Sequence, residues 1–206
     1  MISAESKETW RQSARIIADG GLVVFPTDTV YGVGCDPRNV AAIERVYAAK
    51  ARSHLKALPL LLSDTAVLRT VTAGVGEQTL ALCEALWPGA LTVVLPKAAD
   101  LPDELGSKET LAVRVPDHDG LREFIRRCGG AIAATSANPS GEPDALDAEQ
   151  AEAHLGAKVD LVVDGGRVRG GVPSTVVDCT GKEPRILREG AIGEARIREI
   201  WEATRR

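Results

Sequence analysis

The chain has 206 residues, 44% of them hydrophobic, and its 25 lysines and arginines against 29 aspartates and glutamates give a formal charge of −4. That length and apolar share suffice for one compact core, which argues against disorder, and the acidic balance excludes a protein that clings to nucleic acid or anionic membrane through net charge alone. Four cysteines without a Cys-x-x-Cys pair leave little for a zinc site, and with no charged-then-apolar leader and no apolar span of about 18 residues the expectation is one soluble cytoplasmic domain over residues 1–206 with reduced thiols.

Ser6 to Asp19 spaces Trp10, Ala14, Ile17 and Ala18 by threes and fours behind a serine that can cap, which predicts an amphipathic helix ended by Gly20 and Gly21. Leu22 to Phe25, stopped by Pro26, predicts a central strand. Behind it, Thr27, Asp28, Thr29 and Tyr31 place three hydroxyls and a carboxylate within five residues. A turn explains one or two of those hydroxyls; the rest point to a ligand at the carboxyl end of the strand, where open α/β sheets bind theirs.

Asn39 can cap the next helix, in which Ala42, Val46 and Ala49 share a face and Arg45 is left outside. It ends in Lys50-Ala51-Arg52-Ser53-His54-Leu55-Lys56, three permanent cations and a histidine leading into an apolar strand from Leu58 to Leu62. Cations there can answer the negative end of a helix, worth about 0.3–1 kcal/mol each, or grip an anion at a sheet edge. A surface segment from Asp64, a helix over 76–87 stopped by Pro88 and Gly89, and a strand from Leu91 to Leu95 come next. Residues 96–108 are expected to be an exposed connector.

Leu111 to Pro116 predicts a strand with Arg114 set among apolar neighbours. An unpaired buried guanidinium costs several kcal/mol, so Arg114 either faces solvent or meets an anion. A helix over Leu121 to Arg127 leads to the strand Ala131 to Ala134, which opens into Thr135-Ser136-Ala137-Asn138-Pro139-Ser140-Gly141, a second hydroxyl-rich string at a strand end. A short acidic helix over 147–155, a strand from Val159 to Val163 and a flexible basic loop from Arg167 to Gly171 follow. Ser174 to Asp178 is expected to be an edge-type strand with Pro184 to Leu187 as its hairpin partner, and an amphipathic helix runs from Glu194 to Trp201. Strands and helices interleave, but some connections are too short for a helical crossover, which predicts an α/β fold with a mixed sheet.

The usual phosphate cradles are absent: there is no Walker sequence, no G-x-G-x-x-G and no nucleophile elbow. Lys50, Arg52, Lys56, Arg114 and Arg188 suggest instead a site for a polyanion and a carboxylate, each hydrogen bond to a charged group contributing about 1.5–3 kcal/mol. Spacing alone reaches an anion-binding cleft and no further.

The strings PTDTVYGVGCD (Pro26 to Asp36), K-x-R-x-x-x-K-x-L-P-L (Lys50 to Leu60), WPG-x-LT (Trp87 to Thr92), AVR-x-P (Ala112 to Pro116), TSAN (Thr135 to Asn138) and STVVD (Ser174 to Asp178) occur in this order. Together they resemble the YrdC-like threonylcarbamoyl-AMP synthase family, in its short form, from about Gly20 to Gly190. The resemblance implies an open twisted mixed sheet flanked by helices with a basic concave face. It also implies a nucleotidyltransferase that forms threonylcarbamoyl-adenylate and pyrophosphate from L-threonine, bicarbonate and ATP, with Mg2+, for threonylcarbamoyladenosine in tRNA. Carried over by position, it implies L-threonine contacts at Thr29, Tyr31, Arg114 and Ser174. ATP contacts fall at Arg52, Lys56, Thr110, Ser136, Asn138 and Arg188, and Lys50 and Arg52 are the implied catalytic pair. Partners implied are tRNA and downstream threonylcarbamoyl-transfer proteins, with no membrane.

Two departures stand out. Many relatives have proline where this chain has Ser53 and Ala57, which predicts a less rigid basic loop, and Asp144 stands where a small hydroxyl residue is usual. The alternative is a tRNA or double-stranded RNA binding module without synthase activity, to which Arg167 and Arg169 could contribute. A sister branch of the same fold and a purely structural role for the polar strings are the remaining readings.

Overall fold

The structure, a computed structural model, describes residues 1–4, 6–168 and 172–205. Its frame is a ten-stranded sheet made of β1 (Ile2–Ser3), β2 (Val23–Phe25), β3 (Gly32–Cys35), β4 (Leu60–Leu62), β5 (Leu91–Pro96), β6 (Thr110–Arg114), β7 (Ala131–Ser136), β8 (Leu161–Asp164), β9 (Thr175–Asp178) and β10 (Arg185–Arg188), in the spatial order β1-β8-β2-β3-β7-β4-β6-β5-β9-β10. Parallel pairs (β1 with β8, β8 with β2, β4 with β6, β5 with β9) alternate irregularly with antiparallel ones, so the sheet is mixed, as the short connections require.

Period-two alternation feeds a core on each face. Val24, Ala131, Ala133 and Val162 join the larger core with residues of α2 (Val40–Lys50), α3 (Leu68–Val71), α4 (Glu77–Leu86), α6 (Ala148–Leu155) and α7 (Glu194–Ala203). Their neighbours Val23, Phe25, Ile132, Ala134 and Val163 join the smaller one with α1 (Lys7–Ala18) and α5 (Asp119–Arg127). There the Phe124 ring lies 5.5 Å from Trp10 and 5.8 Å from Phe25. The expected caps form: the Ser6 hydroxyl accepts from the Glu8 N–H, and the Asn39 side chain from the Ala42 N–H.

Four expectations need correction. The stretch Gly32–Cys35, for which the sequence pattern predicts no strand, is the interior strand β3, antiparallel to both β2 and β7. Its glycines lower strand propensity but make room for Phe25: a Cβ on Gly32 or on Gly34 would lie 3.0 Å from that ring. Ile2–Ser3 adds a strand that the pattern did not announce. Residues 174–178 form no edge, because β9 lies between β5 and β10. The connector over 96–108 is exposed only in part: Leu101, Leu105 and Lys97 are buried, and the Lys97 ammonium donates to Pro102 O at 3.0 Å and to Asp103 Oδ1 at 2.9 Å. Of the basic loop expected at 167–171, Arg169, Gly170 and Gly171 lie outside the described residues, and Arg167 pairs with Asp147 at 3.0 Å.

Candidate functional site

Pro26 stops β2 and delivers a turn organised by Thr27. Its hydroxyl accepts from the N–H groups of Thr29 (3.0 Å) and Val30 (3.2 Å) and donates to Val30 O (2.7 Å). This turn carries Asp28 and Thr29 to the last residue of β6, Arg114, which is only 7% exposed. The guanidinium donates from Nη2 to Asp28 Oδ2 at 2.5 Å, from Nε to Gly89 O at 2.9 Å and, at longer range, from Nη1 to Thr29 Oγ1 at 3.4 Å. Trp87 holds the Gly89 turn in place through an indole bond to Leu91 O of 2.8 Å. An arginine has five N–H groups, so two remain for a ligand. Burial pushes the Arg114 guanidinium below its ordinary value, Asp28 opposes that shift, and nearby Arg188 adds to it.

Arg188, at the end of β10, donates to Ser174 O (2.9 Å from Nη2, 3.3 Å from Nε) and to the Ser174 hydroxyl (3.1 Å), which also bonds Thr92 Oγ1 at 2.8 Å. Thr29 thus meets Arg114 and Ser174 meets Arg188, and the two arginines are near enough for their charges to repel, which makes one electropositive region. Ser174 enters it from the amino end of β9, because antiparallel neighbours bring starts and ends of strands together.

A second cluster surrounds Lys50, the last residue of α2. Its side chain is buried, with the residue 2% exposed, and the ammonium donates to Ser136 O, Asn138 O and, at 3.3 Å, Asn138 Oδ1. The Asn138 amide in turn donates to Glu142 O at 2.5 Å, and the Ser140 N–H to Lys50 O at 2.9 Å. Burial, then repulsion from Arg52, lowers the Lys50 ammonium from its ordinary 10.5 to about 8, with Asp144 acting in the opposite sense.

The basic loop that follows starts at Ala51, whose left-handed φ of 48° is unusual for a residue with a Cβ. Arg52 folds back on the loop, donating from Nε to Lys56 O (3.0 Å) and from Nη2 to Ala57 O (2.9 Å). Ser53 supplies a turn of its own: its hydroxyl accepts from the Leu55 N–H (3.2 Å) and its carbonyl from the Lys56 N–H (3.0 Å). His54 stacks on Tyr47 at 4.2 Å. The loop is therefore tied down without prolines at Ser53 and Ala57. Lys56 is exposed with no side-chain partner among the described residues. Gly106 lets the next connector close on this loop, since a Cβ there would lie 2.6 Å from Ala57 Cα. The same connector carries Ser107, whose hydroxyl bonds Thr110 Oγ1 at 3.1 Å.

Three site assignments, those of Tyr31, Lys50 and Asn138, change under this geometry. Tyr31 is wholly buried, and its hydroxyl donates to Gly166 O (2.7 Å) while accepting from the Gly165 N–H (3.0 Å), so it supports the turn after β8 and offers no free hydroxyl to a ligand. Lys50, expected among the catalytic cations, has all three ammonium donors engaged by the turn at 136–138. Asn138, buried and bonded at both ends of its amide, holds that turn; the Ser136 hydroxyl has no partner among the described residues. The residue left unassigned by the sequence is Asp28, whose Oδ1 is buried without a hydrogen-bond partner among the described residues. Its presence within the hydroxyl string was the available signal.

The fold is a mixed α/β sheet that sets Arg114 and Arg188 at the ends of β6 and β10, without a Walker loop. A family model named Sua5_yciO_yrdC, described as telomere recombination, matches residues 15–190, and the chain belongs to this family. It is 37% identical over 191 residues to the threonylcarbamoyl-AMP synthase of Bacillus subtilis (strain 168), covering 92% of this chain and 55% of that protein. It is also 37% identical over 187 residues to the threonylcarbamoyl-AMP synthase of Nitrosococcus oceani, covering 89% and 94%. Among solved structures, Pyrococcus abyssi Sua5 complexed with L-threonine superposes with a TM-score of 0.90 at 35% identity, over 95% of this chain and 58% of that one. Escherichia coli YciO superposes with a TM-score of 0.83 at 28% identity, over 93% of both chains. The chain thus spans little more than half the length of some relatives and nearly the whole of others.

Proposed function

We propose that the chain is an L-threonylcarbamoyladenylate synthase, a nucleotidyltransferase that converts L-threonine, bicarbonate and ATP to threonylcarbamoyl-AMP and pyrophosphate for tRNA modification. The observation that carries this reading is Arg114: a buried, permanently charged fork, fixed on three sides, with two N–H groups left and the Thr29 hydroxyl within reach of its Nη1. A fork of that kind suits a carboxylate, and the Thr29 hydroxyl suits the side-chain hydroxyl of threonine. Arg52, Lys56, Thr110, Ser136 and Arg188 are then the ATP-facing groups; Arg52 keeps three of its five N–H groups after its two loop bonds.

Chemically, the threonine amine takes up the carbon of bicarbonate with loss of water to give a carbamate. A carbamate oxygen attacks the α-phosphorus of ATP, the bond from that phosphorus to the bridging oxygen breaks, and pyrophosphate leaves with the electron pair. No protein nucleophile is required; orientation and neutralisation of the phosphate charge provide the catalysis. Among the described residues no three His, Cys, Asp or Glu side chains stand together as a metal site. Magnesium therefore belongs to the proposal as the counterion of the ATP phosphates. Transfer proteins that pass the threonylcarbamoyl group to tRNA are the implied downstream partners. No helix among the described residues is long and apolar enough to cross a membrane.

Pyrophosphate release by the purified protein, with ATP, magnesium, L-threonine and bicarbonate each omitted in turn, tests the proposal. Release should require threonine and bicarbonate together; release indifferent to threonine would overturn it.

A further inference from the structure

We infer that Lys50 is a positioning residue that touches no substrate and acts by clamping the turn at 136–142, so that the Ser136 hydroxyl faces ATP. The inference rests on the reading of Ser136 as a nucleotide contact. Its own support is a count of donors. An ammonium has three N–H groups, and Ser136 O, Asn138 O and Asn138 Oδ1 take all three. The turn is closed from the other side as well, by the Ser140 N–H on Lys50 O, the Asn138 amide on Glu142 O and the Ala137 N–H on Tyr31 O at 2.8 Å. With the residue 2% exposed, a phosphate oxygen could reach Nζ only by breaking this ring.

The clamp needs its charge. A neutral amine has two N–H groups and a lone pair, which would face a carbonyl oxygen with no proton between them. The charged groups around Lys50 are Arg52, which favours proton loss, and Asp144, which opposes it; Lys158 lies one residue away, donating to Ala49 O at 3.0 Å. Burial and Arg52 bring the Lys50 ammonium to about 8, so the clamp opens within an accessible pH range. Folding stability responds in the opposite sense. Between about 8 and 10.5 the unfolded chain binds the proton that the folded chain has released, so the contribution of this group to stability rises with pH while the ordered turn is lost. A residue that only supported the fold would not separate these two trends.

The test combines kinetics with a readout that needs no ligand. In the wild type, the KM for ATP should rise about tenfold as pH passes through about 8, with the KM for threonine moving less than threefold. Lys50→Met should show the high KM for ATP at every pH, with kcat within about threefold of wild type. The backbone amide resonances of Ala137 and Ser140 in the apo protein should titrate with the same midpoint in the wild type and stay constant in Lys50→Met. Ala137 and Ser140 amide resonances that are the same in wild type and Lys50→Met at pH 7 would overturn the inference, as would a Lys50→Met variant that loses kcat while keeping its KM for ATP, because that ammonium would then act on the reacting phosphate. If no variant or wild-type protein releases pyrophosphate, the synthase reading fails, and the amide comparison still decides whether Lys50 clamps the turn. Should Lys50→Met not fold, Lys50→Gln is put through the same amide and KM comparisons, with the same outcomes expected and excluded.

Discussion

Two buried cations, Arg114 and Lys50, answer the same problem in opposite ways. Arg114 has a carboxylate counterion, Asp28, and five donors for three acceptors, so its charge is compensated and its fork is incompletely used. Lys50 has neutral acceptors only and as many acceptors as donors. The first arrangement keeps capacity for a ligand, and the second closes on the protein itself. A positive charge near a phosphate is therefore a weak guide to contact: the number of unused donors separates a ligand-binding cation from a structural one.

The largest effect should come from breaking the compensated pair. Arg114→Met leaves Asp28 as a buried charge without its partner and should destabilise the fold by about 3–5 kcal/mol, with threonine-dependent turnover lost at least a hundredfold; thermal or urea unfolding reads the first and pyrophosphate release the second. Adding Asp28→Asn to that variant should recover about half of the lost stability without recovering turnover. A double variant no more stable than Arg114→Met would show that Asp28 is not the counterion. Asp28→Asn alone should raise the KM for threonine about tenfold and leave the KM for ATP within twofold, since it frees the fork without removing it. Arg52→Ala should weaken ATP about five- to tenfold and leave threonine unaffected, as measured by calorimetric titration of each ligand. The smallest change belongs to the loop turn: Ser53→Ala removes one hydroxyl acceptor at an exposed site and should shift stability by less than about 0.5 kcal/mol and ATP affinity by no more than threefold.

The continuous apolar runs of β2, β7 and β8 were readable as strands because each strand feeds both cores, and the capping residues Ser6 and Asn39 announced their helices. β3 was not readable, since Gly32 and Gly34 serve the ring of Phe25, a neighbour visible only once the strands are paired. At the site, residue types carried the resemblance, but the use made of each group did not follow from them. Asp28 and Arg114 meet across 86 positions; Tyr31 and Gly166 meet across 135. Such long-range pairings decide that Arg114 has spare donors, that the Tyr31 hydroxyl is engaged and that Lys50 is closed, and nothing local to those residues encodes them. The loop at Ser53 illustrates the converse: its missing prolines suggested slack, while the Ser53 turn and the Arg52 bonds to Lys56 O and Ala57 O supply the restraint.

The most direct test of the division between the two cations is calorimetric titration of L-threonine into the wild type and Arg114→Lys, both with a non-hydrolysable ATP analogue present. Lysine keeps the charge but lacks the second arm of the fork. The account predicts saturable threonine binding to the wild type and a loss of at least tenfold in Arg114→Lys, with affinity for the analogue unchanged; equal threonine affinity in the two proteins would contradict it.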